Sequence, residues 1–215
     1  MKKLLLLMAV VAMMCMGGMA QAALTWFTTE ASFTPNLAPG YYLEDFNYTP
    51  WLALSSNGLG SPKTFSGNGW TYQLSTTGSG GLDGSPTPGS GGAVSTYYVG
   101  SPINVAFTGL LPKAIGGIFW TTDINGAFVS GGTVTLTVVG GGTYTYTDTS
   151  NYPGFTGFLS DTPITSMAIT PGGGLWATMD HVYVGNTAAV PEPMSILLGI
   201  MGLGSVAGFR KLRRN

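Results

Sequence analysis

The residue types that carry most enzymatic chemistry are scarce in this chain. It holds one histidine, His181, and one cysteine, Cys15, in 215 residues. A multi-histidine zinc centre needs more ligands than that. No serine has glycine at both the second position before and the second after it, so the α/β-hydrolase nucleophile elbow is absent. A Ser-His-Asp triad would have to be built on His181, and its chain neighbour Asp180 points to the opposite face of a regular strand. Paired carboxylates for glycoside hydrolysis need two groups about 5–9.5 Å apart. The acids between residues 23 and 189 supply enough carboxylates for such a pair, but no local spacing singles one out.

Two constellations carry sharper expectations. In an extended segment 41–47, Glu44 shares a face with Tyr42 and Phe46, and in the last strand Asp180 shares a face with Val182 and Val184. Both carboxylates would then face the core, where an unpaired charge is costly. Organic counter-ions are few, since Lys63 and Lys113 are the only cationic side chains between 23 and 189. A structural Ca²⁺ held jointly by Glu44 and Asp180 would satisfy both, because hard cations take carboxylate oxygens. Bulged strands, or carboxylates capping neighbouring turns through backbone N–H groups, are the alternative. The second constellation is aromatic. Trp176, Tyr144 and Tyr146, with Trp51, Trp70, Tyr97 and Tyr98 behind them, are candidates for stacking on sugar rings. Tyr144 and Tyr146 share one face of a Thr-rich hairpin, the form of a glycan-binding platform, although aromatics in sandwiches also serve as cross-strand packing.

The elements that position these residues read as β. In 132–139, Val134, Leu136 and Val138 alternate with Thr133, Thr135 and Thr137, the period of a half-buried strand. Gly140-Gly141-Gly142 turns the chain, and Thr143 to Thr147 alternates again, which predicts a hairpin. Further strands are expected at 41–47, 69–75, 93–99, 103–108, 114–121, 164–170 and 175–184. Ala114 to Trp120 has no polar alternation and suits a strand covered on both faces. No segment shows helix-period hydrophobicity with a cap. Residues 75–92 (STTGSGGLDGSPTPGSGG) are poor in apolar residues and predict a mobile surface loop. The expected fold class is therefore all-β, an antiparallel β-sandwich of jelly-roll type spanning 23–189.

Composition excludes other classes. Charged residues are 8% of the chain, glycines number 34 and the mean hydropathy is +0.28. Neither a charged disordered protein nor a heptad coiled coil has this profile. The net charge of -1 conceals cationic ends around a body in which eight acids and two lysines leave -6. An acidic body argues against nucleic acid as a partner.

The ends read as addresses. Lys2 and Lys3 precede an apolar run from Leu4 to Met16, and Ala20-Gln21-Ala22 supplies the small-x-small pattern of a signal peptidase site. Residues 1–22 are expected to be a signal peptide for the Sec route that leaves with Cys15, so the mature chain would hold neither disulfide nor thiolate site. Near the other end, residues 194–209 form an uncharged run followed by Arg210, Lys211, Arg213 and Arg214. As a helix that run reaches about 24 Å, short for an average bilayer but workable with snorkelling arginines and local thinning. The positive-inside rule keeps the basic tail cytoplasmic and places 23–189 outside the inner membrane.

Val190-Pro191-Glu192-Pro193, directly before a Gly-rich hydrophobic helix and a terminal basic cluster, resembles the PEP-CTERM sorting signal over residues 190–215. The resemblance implies a Gram-negative bacterium that makes exopolysaccharide, and an exosortase that cuts near the Pro-Glu-Pro. Pro191 and Pro193 hold the backbone extended, which would present the segment as a strand-like substrate. It further implies an inner-membrane-anchored precursor and a mature form at the cell surface or in the extracellular matrix. The expected function is accordingly non-enzymatic association with extracellular polysaccharide. A secreted carbohydrate-active hydrolase and a ligand-free spacer are the alternatives. Signal peptidase and the exosortase are the processing partners, and no cofactor beyond the Ca²⁺ is expected.

Overall fold

The structure, a computed structural model, describes residues 23–47, 59–77, 80–87, 90–149 and 153–188. The signal peptidase site (Ala20, Ala22), the segment Val190 to Pro193, and the tail with Arg210, Lys211, Arg213 and Arg214 lie outside the described residues. None of the described helices is long and apolar enough to cross a membrane.

Two antiparallel sheets face each other. One has the order β1-β11-β8-β13-β6-β5, with β2 also paired to β13; the other runs β10-β9-β12-β7-β4-β3. In the first sheet the strands are β1 (Leu24–Phe27), β2 (Tyr42–Glu44), β5 (Leu82–Thr87), β6 (Ser90–Thr96), β8 (Ala114–Thr122), β11 (Phe155–Ser160) and β13 (Trp176–Gly185). The second is built from β3 (Lys63–Gly67), β4 (Trp70–Thr76), β7 (Ile103–Phe107), β9 (Gly132–Val138), β10 (Gly142–Asp148) and β12 (Ser166–Pro171). The pairs are nested: β9 with β10, β8 with β11, β7 with β12 and β6 with β13. A single antiparallel ribbon thus folds over so that alternate pairs fall in opposite sheets.

Period-two patterning sets the core between the sheets. Val134, Leu136 and Val138 on β9 point inward, as do Tyr72 and Leu74 on β4. Across from them lie Leu82, Val94, Phe119, Met179, Val182 and Val184 of the first sheet. A smaller cluster sits on the outer face of that sheet, where Phe33 and Leu37 cover Ala114 and Tyr183. Phe33 ends a four-residue helix, α1 (Glu30–Phe33), whose first turn is capped by Thr29 accepting from the Ser32 N–H. It is too short for a helical period to show in the sequence. Its seat is a glycine pair. Gly116 on β8 lies opposite Gly157 on β11, and a Cβ at either would come within 2.8 Å of the Phe33 ring.

Two expectations are corrected by the strand assignments. Residues 75–92 are not a single loop: β5 and the start of β6 form an edge hairpin there, with Leu82 fully buried in the core. One inward leucine and sheet hydrogen bonds are enough to hold a strand that composition alone describes as low complexity. Along β13, Asp180 pairs with Ile118 but Tyr183 pairs with Gly116, so the strand carries one extra residue. His181 sits in that bulge with φ 54. The extra residue reverses the alternation, placing Asp180 on the outer face while Val182 and Val184 face the core.

Candidate functional site

The bulge separates the two carboxylates expected to share calcium. Glu44 pairs with Val182 and faces the core, whereas Asp180 faces out from the other side of the sheet. Each is satisfied locally. Glu44 accepts from the Tyr42 hydroxyl and, at 2.9 Å, from the Phe46 N–H, and Asp180 accepts from the His181 N–H at 2.6 Å. A joint Glu44–Asp180 ion is therefore not what this register builds. His181 makes no triad with Asp180. Its Nε2 lies 3.4 Å from both the Glu30 carboxylate and the Tyr183 hydroxyl, tying β13 to α1. Burial first, and then Glu30, push the Tyr183 phenol above the ordinary tyrosine range.

Tyr144 and Tyr146 share one face of β10, as their spacing predicts, but that face turns inward. They pair with Leu136 and Val134, which belong to the core. Tyr144 stacks on Trp26 at 4.6 Å and 21°, and the Tyr146 hydroxyl donates to the Phe119 carbonyl across the inter-sheet space. The hairpin presents threonines to solvent instead, with Thr135 and Thr145 hydroxyls 3.0 Å apart. These tyrosines are packing, not a platform. Trp70 is likewise buried, its indole N–H donating to the Gly40 carbonyl at 2.8 Å, and Trp51 lies outside the described residues.

Trp176 is placed differently. It opens β13 on the outer face of the seven-stranded sheet and lines a cleft of about 260 Å³. The floor comes from adjacent strands: Asp83 of β5 pairs with Ser95 of β6, Ser95 with Thr178 of β13, and Trp176 with Thr122 of β8. Thr96, Tyr97, Asp123, Ile124 and Gly126 complete the lining. Tyr97 stands half-exposed beside Tyr98 in an edge-to-face contact at 5.0 Å. The Trp176 indole N–H donates to the Tyr97 carbonyl at 3.0 Å, which holds the two aromatic residues together.

The two acids of the cleft live in opposite environments. Asp83 is 6% exposed, and no hydrogen bond reaches its carboxylate among the described residues. Burial pushes its pKa up. Asp123 closes the tight turn after β8, its Oδ1 accepting from the Asn125 N–H at 2.8 Å and the Ala127 N–H at 2.9 Å. The Ala127 N–H is the first cause holding it below the usual carboxylate range, with Asn125 adding to it. Three inter-strand steps separate β5 from β8. At about 4.8 Å per step the two acids stand on opposite walls of the cleft, with the hydroxyl floor between them.

Of the residues nominated from sequence, the cleft gathers Trp176 and Tyr97. The polar partners Asp83, Ser95, Thr96, Thr122 and Asp123 were not foreseen. Asp83 was hidden in the stretch read as a loop. Asp123-Ile124-Asn125-Gly126 does carry a turn signal, an Asp whose side chain caps its own turn before a glycine. Neither a scan of protein-family models nor a search of curated proteins returns a match to this chain.

Proposed function

We propose that this chain is an exported surface protein that binds extracellular polysaccharide in the Trp176 cleft. The observation that carries this reading is the cleft itself: an indole and a phenol ring beside carboxylates and hydroxyls in one concavity. Aromatic faces stack on the C–H faces of sugar rings, while carboxylates accept from their hydroxyls. The nested strand pairing supports classing the sandwich as a jelly roll. Delivery to the surface rests on the sorting segment Val190 to Pro193 and the basic tail, with the exosortase and signal peptidase as processing partners. Calorimetric titration of the exported protein with polysaccharide from its own host tests the binding. Trp176→Ala should weaken it about tenfold or more, since losing one stacked aromatic typically costs that much. No binding by the wild-type protein would overturn the proposal. For the sorting step, the mass of the mature protein should place its C-terminus near Pro193, and an intact tail in cells that hold the exosortase would refute it.

A further inference from the structure

The hydrogen-bond directions in the cleft say what kind of ligand it takes. Each hydroxyl has one proton to give. Ser95 gives its own to the Ala177 carbonyl at 3.2 Å, and Thr178 donates to Ser95 at 3.0 Å. Thr122, 3.1 Å from Thr178, must therefore be the donor in that pair. The relay runs across the floor from Thr122 through Thr178 to Ser95 and then turns back to the Ala177 carbonyl, so it stops one strand short of Asp83 and gives it no proton. Thr96 is committed to the Tyr98 carbonyl and the Trp176 indole to the Tyr97 carbonyl. Among the side chains that line the cleft, the Tyr97 hydroxyl alone keeps a free donor, and it stands at the exposed rim.

What the cleft offers is therefore an acceptor, the Asp83 carboxylate, since Asp123 already accepts from Asn125 and Ala127. No cationic side chain lines it. The two lysines of the described residues are elsewhere, Lys63 on β3 of the other sheet and Lys113 donating to the Asp161 carbonyl at 2.8 Å. Asp83 is largely covered and takes no donor from the described residues, and its carboxylate opens to the cleft, which leaves a demand that water or a ligand must meet. A neutral hydroxyl meets it in part. An ammonium meets it fully, because it brings both protons and charge, and the faces of Trp176 and Tyr97 also attract a cation.

We propose that the cleft selects polysaccharide bearing free amino groups, that is, un-acetylated hexosamine units, with Asp83 as the residue that takes the ammonium. This rests on the glycan-binding reading and narrows it. Uronic-acid polymers are disfavoured by two carboxylates and an acidic body. Full N-acetylation removes the charge that Asp83 requires.

The test is calorimetric titration of the exported protein with a glucosamine tetramer, its fully N-acetylated counterpart and a galacturonic acid tetramer. The titration is run at several pH values from mildly acidic to neutral, because the sugar amine must be protonated while Asp83 is ionised. The free-amine tetramer should bind about tenfold or more tightly than the acetylated one, the scale of a charge-assisted hydrogen bond. Asp83→Asn should erase that preference, bringing the free-amine and acetylated tetramers to equal affinity. Equal or tighter binding of the acetylated tetramer, an unchanged Asp83→Asn preference, or equally tight binding of polylysine would each overturn the inference and leave the glycan reading in place. If neither the tetramers nor the host polysaccharide bind the wild-type protein, the broader reading falls with it.

Discussion

At the residue scale the telling feature is a carboxylate without a donor. Asp83 could have been satisfied by Ser95, its cross-strand neighbour, but that hydroxyl is turned to the Ala177 carbonyl. The protein thus carries a charge with no partner among the described residues, left to solvent or ligand in the cleft, the kind of local cost that binding sites retain. Asp83→Asn should therefore stabilise the free protein at neutral pH by about 1 kcal/mol, the usual gain from relieving such a site. The sign with pH follows from the direction of the shift. With its folded pKa raised, Asp83 penalises folding above that pKa and ceases to do so as pH falls through it. The gap between variant and wild type in chemical denaturation should be full at neutral pH and close on acidification. A destabilised Asp83→Asn would mean that the carboxylate has a structural partner after all.

At the scale of elements, two small irregularities organise the outer face of the seven-stranded sheet. The bulge at His181 adds a residue to β13 and keeps both Asp180 and Tyr183 outward, three positions apart. From there Tyr183 reaches Glu30 of α1, and the helix drops Phe33 onto the Gly116–Gly157 pair. The sequence showed Ala114 to Trp120 as glycine-rich and apolar, but not why. The reason is the aromatic ring that needs the missing side chains. A Cβ at Gly116 would lie 2.8 Å from Phe33 Cε1 and 2.7 Å from Phe155 Cζ, so the ring cannot simply swing aside. Gly116→Ala should cost about 1–3 kcal/mol in urea denaturation, the range of core overpacking. A cost near zero would show that α1 packs differently. One face of the sheet is thereby divided, closed by α1 at one end and open as the Trp176 cleft at the other.

At the scale of the whole molecule, stability depends on how the sheets are joined. The Tyr146 hydroxyl, donating to the Phe119 carbonyl, links the edge strand β10 to the opposite sheet. Burial is the first reason its phenol resists ionisation, and its pKa stands above the ordinary tyrosine range, as does that of Tyr183. Raised folded pKa values contribute stability that is whole below the ordinary tyrosine pKa and is lost as pH rises beyond it. The protein should therefore weaken in alkali. Tyr146→Phe should cost about 1 kcal/mol at neutral pH and make thermal unfolding less sensitive to rising pH. An alkaline profile identical to wild type would place the sensitivity elsewhere.

Sequence and tertiary structure divide the determination along the range of the forces involved. Period-two alternation is a property of neighbours along the chain, so β4, β7, β9, β10, β12 and most of β13 were legible as strands, and with them the all-β sandwich. The same periodicity correctly put Tyr144 and Tyr146 on one face. Which face meets water depends on the opposing sheet, and only folding decided that it is the threonines. The one-residue bulge at His181 moved Asp180 to the other side of its sheet, and nothing in local propensity marks such an insertion. Asp83 became a site residue because β5 pairs with β6, and because the relay of hydroxyls on the neighbouring strands ends on the Ala177 carbonyl instead of on its carboxylate. Hydrogen-bond direction between strands distant in sequence is settled by tertiary contact, and that is where this cleft acquires its chemistry.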